Sequence, residues 1–351
     1  MKLLVLGGTR FLGRHAVDDA LALGHDVTVF TRGRILPPWG PRVRHLVGDR
    51  DPAVAPGLAA LGGGEWDAVI DTSGYVPRCV RASARALAGR VGHYVFVSSL
   101  SAYAEPTPPG LTESAPLAVL DDPATEEIMA HYGALKAACE REVTSAFGAA
   151  GSALVRPGLI VGPGDATDRF GYWVARFLAP ELLGDRDDAI AVPAPRERPV
   201  QFVDARDLAS FIVALCAGTV AGAFNACSGR GQWTMGMLVA ALVERAAQRG
   251  RAGTPVFIDD DTLVAAGVVP WTGLPLWIPR SDASAAGFLE FDCRRAHDHG
   301  LALRPLMATI DDTARWLCER DNTGAWQQVL AAGPERALVQ AFRGRGAGGA
   351  G

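Results

Sequence analysis

At 351 residues the chain is long enough for one large domain or two intimate ones, with a sizeable core. Hydrophobic residues make up 49% and charged residues 21%, with a net charge of −4, which gives no electrostatic case for nucleic acid or an anionic membrane as a partner. No apolar run reaches the ~18–20 residues of a membrane span. Leu3–Leu6, followed at once by glycines, reads as a strand rather than a secretory leader.

In chain order, the first half alternates β-branched runs with Ala/Leu-rich segments, the rhythm of a parallel sheet. Leu3–Leu6 is the first strand and Gly13–Leu23 its crossover helix. Asp26–Phe30, Val43–Val47 and Ala68–Asp71 are the next three strands; a helix near Arg78–Leu87 and a strand at His93–Val97 follow. Glu126–Phe147 is a long helix, and Ala153–Arg156 is a strand ending at Pro157. Residues 162–200 are rich in Pro, Gly and charge and break the rhythm, after which Gln201–Cys216 supplies a short strand and a helix. Gly222–Asn225 returns to the sheet, Thr234–Arg249 is helical, Gly267–Pro279 is an aromatic loop, and the tail 344–351 reads as disordered. The expected fold is therefore α/β, a Rossmann-type doubly wound parallel sheet with a smaller C-terminal α/β substrate-binding domain. The first domain is expected over 1–160 with a return near 197–225, and the second over 161–196 and 226–335.

The six cysteines (Cys79, Cys139, Cys216, Cys227, Cys293 and Cys318) show no CxxC and no Cys/His cluster, so neither a disulfide framework nor a metal site is expected. A reduced, cytoplasmic setting is the corresponding expectation.

Two features carry chemistry. Gly7-Gly8-Thr9-Arg10-Phe11-Leu12-Gly13 has the outer spacing of a G-x-x-G-x-x-G turn, with Arg10 in place of the middle glycine. It follows a strand and opens a helix, where a dinucleotide pyrophosphate docks. The second strand, which ends in an acid in NAD enzymes, runs instead into Phe30-Thr31-Arg32-Gly33-Arg34. Thr31 stands at the acid's place, and Arg32 and Arg34, with Arg10 in reach, offer forks for a 2′-phosphate, favouring NADP(H) over NAD(H). Asp49 is placed near the adenine amine, and Thr72 and Ser73 beside the pyrophosphate and nicotinamide ribose; loop polarity explains all three about as well. The other feature is Tyr132 and Lys136, four apart on one helix face. A phenol with pKa ~10 is a poor acid near neutrality, and a nearby ammonium brings it closer. The hydroxyls of Ser98, Ser99 and Ser101 at a strand end are placed to hold a carbonyl oxygen.

Together these residues resemble the extended short-chain dehydrogenase/reductase superfamily, in particular its NAD-dependent epimerase/dehydratase-like family, over roughly residues 1–320. The Gly-Gly-Thr-Arg-Phe-Leu-Gly wording resembles a bacterial subgroup related to isoflavone-reductase-like and chloroplast stem-loop-binding proteins. The resemblance implies Tyr132 as acid/base, Lys136 as its partner and Ser99 as the catalytic serine. It also implies Pro157, in Arg156-Pro157, beside the nicotinamide, and a homodimer through the helices that carry Tyr132. The arginine with which nucleotide-sugar epimerases grip a diphosphate falls at Val200, with Arg198 two residues early, and Pro279-Arg280 is only a loose echo of a second such arginine. A substrate without a diphosphate is favoured. Trp173, Trp271 and Trp277 are either an apolar wall over the substrate or part of a packed loop.

The leading expectation is an NADP(H)-dependent oxidoreductase acting on a small carbonyl or alcohol. The runner-up is an epimerase or dehydratase that retains NAD, and the third class, a sensor or RNA-binding relative, is opposed by the intact Ser99, Tyr132 and Lys136.

Overall fold

Alternation along the strands sets the layers. In β1 (Lys2–Leu6), Leu3 and Val5 join one buried cluster while Leu4 and Leu6 join another, as in a strand covered on both faces. The structure, a computed structural model, describes residues 1–184, 186–323 and 325–348. It contains β2 (Asp26–Thr31), β3 (Val43–Val47), β4 (Trp66–Asp71), β5 (Val91–Val97) and β6 (Ser152–Pro157). With the strand Gly222–Ala226 these form a seven-stranded sheet in the order Gly222–Ala226, β6, β5, β4, β1, β2, β3. Every pairing is parallel. α1 (Phe11–Ala22) packs against the helix Ala205–Gly218, and α2 (Pro77–Leu87) against α3 (Ile128–Phe147). The Leu3/Val5 cluster takes in Ala16, Val17, Leu208 and Phe211, and the Leu4/Leu6 cluster takes in Val80, Leu87, Cys139 and Val143. Each helix pair therefore covers its own face of the sheet. This is a Rossmann-type doubly wound fold, and its winding reverses at β1, opening a crevice at the strands' carboxyl ends.

The chain divides into two units: the first is Met1–Ile160, Val203–Ser228 and Phe291–Leu303, and the second takes 161–202, 229–290 and the chain from 304 onward. The segment 291–303, read from sequence as part of the second domain, belongs to the first unit. Asn225 Nδ2 donates to the Asp292 carbonyl at 3.0 Å, a pairing between residues 67 apart that no local pattern announces.

In the second unit, the stretch expected to be irregular contains a helix at Arg169–Leu178, buried along nearly its whole length. Flanking Pro and Gly mask it in the composition; the helix stops at Ala179, which precedes Pro180 and is non-helical. Trp173 and Trp277 are fully buried. Their indole nitrogens donate to the Pro275 carbonyl at 2.9 Å and to Asp260 Oδ1 at 2.8 Å. Trp271 is half-buried with its ring edge-on to Phe288, so the stretch 270–277 is a packed loop, whereas Trp173 belongs to the helix Arg169–Leu178. Toward the C-terminus the helix Ala332–Gly348 runs past the expected onset of disorder at Gly344, because extending a formed helix adds a hydrogen bond for each residue fixed. Residues 349–351 of that expected tail lie outside the described residues. All six cysteines are free, and among the described residues no helix is long and apolar enough to cross a membrane.

Candidate active site

A cavity of about 760 Å³ opens at the carboxyl ends of β1 to β6, lined wholly by residues of the first unit. The candidates of the glycine turn, the β2 end, the loops after β3 and β4, and Ser99, Tyr132, Lys136 and Pro157 all reach it, with Ser98, whereas Ser101 is not among its lining residues. Gly7, Thr9, Arg10, Phe11, Leu12 and Gly13 supply one wall, Arg32, Arg34 and Asp49 an end, and Thr72 and Ser73 the middle. Ser99, Tyr132, Lys136 and Pro157 close the far side.

The glycine turn is built for close approach. A Cβ on Gly13 would sit 2.8 Å from the Gly8 nitrogen and 2.9 Å from its Cα, so α1 starts against the turn only because this residue has no side chain. Arg10 precedes the helix without a side-chain cap, and the first turn of α1 has no acid, leaving its amides for an anion. Phe11 holds a strained φ of 35° at this helix start. The hydroxyls of Thr72 and Ser73 each donate to the Leu6 carbonyl at 3.1 Å, tying the loop after β4 to the end of β1. The uncapped amides at the start of α1 fit a dinucleotide pyrophosphate.

At the end of β2, Thr31 Oγ1 accepts from the Gly33 amide at 3.1 Å and lies 2.8 Å from His45 Nε2. Arg10, Arg32 and Arg34 are exposed, and none makes an ion pair among the described residues. Asp49 Oδ1 accepts from the Asp51 amide at 2.9 Å, so its carboxylate shapes its own loop as well as facing the cavity.

α3 bends at His131 (φ −125°, ψ 25°), and its regular part begins with Tyr132. Tyr132 is about one-third exposed, whereas Lys136, one turn later, is buried. Lys136 Nζ donates to the carbonyls of Gly74 at 2.7 Å and Val97 at 2.6 Å. Burial pushes this ammonium down to about 8, against the opposing pull of Cys139, Asp71 and Glu140. Gly133 sets the distance to the β5 side, because a Cβ there would lie 2.0 Å from the Ser101 carbonyl oxygen. Ser99 caps the short turn Leu100–Ala102 by accepting from the Ser101 amide at 3.1 Å. Its own O–H remains to donate. His131 is exposed beside the pair.

Two buried ion pairs support the site, and sequence reasoning missed both. Arg50 binds Asp71 bidentately, Ser83 Oγ receives a bond from Arg50 at 2.9 Å, and Tyr94 O–H donates to Asp71 at 2.7 Å. Burial alone would raise the Asp71 carboxyl; Arg50, Tyr94 and the Ser73 amide bring it below its usual range. The only sequence signal was an aspartate closing the apolar run Ala-Val-Ile-Asp71, which requires a cation. On the next turn of α3 after Lys136, Glu140 receives both Arg156 Nε (2.9 Å) and Nη2 (2.7 Å), and Arg156 also donates to Tyr103 Oη at 2.9 Å.

The model of the NAD dependent epimerase/dehydratase family matches residues 3–227. The chain belongs to this family. No curated protein matches it by sequence. Among solved structures, that of the WbmG enzyme of Bordetella bronchiseptica with NAD is similar at 16% identity and a TM-score of 0.64, covering 92% of this chain and 95% of that one. The human epimerase family protein SDR39U1 with NADPH gives 19% identity, a TM-score of 0.56 and coverages of 90% and 99%. The UDP-Glc/GlcNAc 4-epimerase of Campylobacter jejuni gives 15%, 0.65, 91% and 99%.

Within this epimerase/dehydratase fold, Arg198 of the second unit is engaged by Asp260 and donates to the Ala194 carbonyl at 2.7 Å and the Ile278 carbonyl at 2.7 Å. A guanidinium fixed by three internal acceptors is a structural anchor, which distinguishes it from a free diphosphate grip.

Proposed function

We propose that this family member is an NADP(H)-dependent reductase or dehydrogenase acting on a small carbonyl or alcohol. The observation that carries the reading is the end of β2, where Thr31 replaces a carboxylate and Arg10, Arg32 and Arg34 line the cavity without ion-pair partners among the described residues. A 2′-phosphate gains charge-assisted bonds from such forks, while β2 ends without the acid that accepts from a 2′-hydroxyl in NAD enzymes.

When bound, the nicotinamide gives or takes a hydride. Tyr132 moves the proton at the substrate oxygen, and Ser99 donates to that oxygen and orients it. Lys136, if charged, stabilises the phenolate form of Tyr132 and keeps a third N–H for a ribose hydroxyl.

Family membership favours a second reading, an epimerase or dehydratase that removes and returns the hydride on a retained cofactor; the same three side chains serve it. The anchoring of Arg198 supports a substrate without a diphosphate. The test is a titration of the purified protein with NADPH and NADH after analysis of any co-purifying nucleotide. Exchangeable binding with NADPH preferred, and NADPH oxidation by carbonyl compounds, is the expected result. Tightly retained NAD(H) would overturn it in favour of the second reading.

A further inference from the structure

Lys136 is buried among the apolar side chains of β5 and α3, yet its role as the partner of Tyr132 requires it to be charged. Four groups surround the ammonium. The Gly74 and Val97 carbonyls accept two of its three protons. The rings of Phe96 and Tyr75 lie with their centroids 4.6 and 5.1 Å from Nζ, inside the ~6 Å reach of a cation–π contact. Gly74 makes this possible, since a Cβ there would lie 2.4 Å from Phe96 Cε2. Phe96 is fully buried, whereas Tyr75 is 43% exposed and lines the cavity. Its ring also stands 6.5 Å from that of Tyr132, tilted by 39°. Tyr75 thus touches both members of the proton-moving pair from a loop of its own.

We propose that Tyr75 is a positioning residue for that pair: with Phe96 it cages the Lys136 ammonium, holds it charged, and braces the ring of Tyr132. The proposal rests on the reading of Lys136 as the partner of Tyr132. An aromatic face offers a buried cation negative electrostatic potential while keeping water out, which an aliphatic side chain of similar size does not. The other charged or titratable groups around Lys136 are Asp71 of β4, Arg50 of the loop after β3, and Cys139 and Glu140 of α3. All four stay in place when Tyr75 is changed.

The chain makes the test direct, because Lys2 and Lys136 are its only lysines. Lysine labelled with carbon-13 at Cε therefore gives two resonances, and exposed Lys2 is an internal reference. In the cofactor-free protein the Lys136 resonance is followed from pH 6 to 11 in wild type, Tyr75→Phe and Tyr75→Leu. Tyr75→Phe should titrate with wild type. Tyr75→Leu should titrate lower by roughly 0.4–1.5 pH units, the range expected for removing one partly sheltered cation–π contact. A Tyr75→Leu midpoint at or above the wild-type value would overturn the cage. With a turned-over substrate, the alkaline limb of kcat should move down in Tyr75→Leu and stay in Tyr75→Phe. Failure to find NADPH-dependent turnover would count against the proposed function and leave the lysine titration to decide the cage.

Discussion

Replacing both Arg32 and Arg34 by alanine isolates the part of the cavity that decides between the two nicotinamide cofactors. Both side chains are exposed, without ion-pair partners among the described residues, so their removal strands no internal charge and opens no core cavity. Hydrogen bonds to charged groups contribute about 1.5–3 kcal/mol when sheltered, and exposed ion pairs about 0.2–1. Taking about 1 kcal/mol for each exposed fork gives about 2 kcal/mol for the pair, or roughly a 30-fold rise in the NADPH Kd. The NADH Kd should change less than about threefold, since neither arginine has a 2′-phosphate to meet there. The difference should also shrink with salt, because the screening length falls from ~8 Å at 0.15 M to ~3 Å at 1 M. The assay is fluorescence titration of NADPH and NADH on wild type and the double variant at both ionic strengths. Equal loss for the two cofactors, or a wild type that prefers NADH, would refute the argument from β2.

Tyr132→Phe should bind cofactor as wild type does and lose about 10²–10⁴-fold in kcat, read by pairing the titration with turnover. Gly133→Ala places a Cβ 2.0 Å from the Ser101 carbonyl oxygen, so α3 must shift; turnover should fall together with the melting temperature, which calorimetry measures. Glu140→Ala leaves Arg156 buried without its carboxylate and should cost about 3–5 kcal/mol in denaturant unfolding. Lys136 is held near 8 in the fold against 10.5 as its ordinary value, so the unfolded chain binds the extra proton between those limits and this lysine's contribution to stability rises with pH. Buried thiols act in the opposite sense: Cys139, Cys216 and Cys227 are pushed up to about 12, and their contribution falls as pH rises past 9. The stability difference between wild type and Lys136→Met should therefore increase by on the order of 2–3 kcal/mol from pH 8 to 10, even as wild-type stability itself declines; a flat difference would contradict the depressed lysine.

The sheet was legible because strands covered on both faces must be apolar at every position, and Val43–Val47 or Ala68–Asp71 stand out between polar turns for that reason. The pair on α3 was legible because a helix makes i and i+4 neighbours whatever the rest of the fold does. Residues that depend on distant partners were not. The helix Arg169–Leu178 takes its stability from burial within the second unit and lies between stretches whose Pro and Gly suppress a helical reading. The segment 291–303 joins the first unit through a side-chain bond from Asn225, and a one-dimensional pattern contains no trace of it.

The same division separates what was seen in the site from what was missed. Gly7, Gly13, Tyr132 and Lys136 form local motifs, each defined by its neighbours within one turn. Arg50 and Asp71 are 21 residues apart, and Glu140 and Arg156 are 16 apart, so each ion pair exists only after the sheet and α3 have formed. Both pairs border the helix turn that carries Lys136, and both Asp71 and Glu140 oppose the desolvation that drives its proton off. A lysine in an otherwise apolar site needs compensating groups close to its ammonium, and here two carbonyls, two aromatic rings and two nearby carboxylates provide them. Recognising Lys136 in the motif therefore also predicts that acids and acceptors must converge on it from other elements, although only the folded chain shows which ones do.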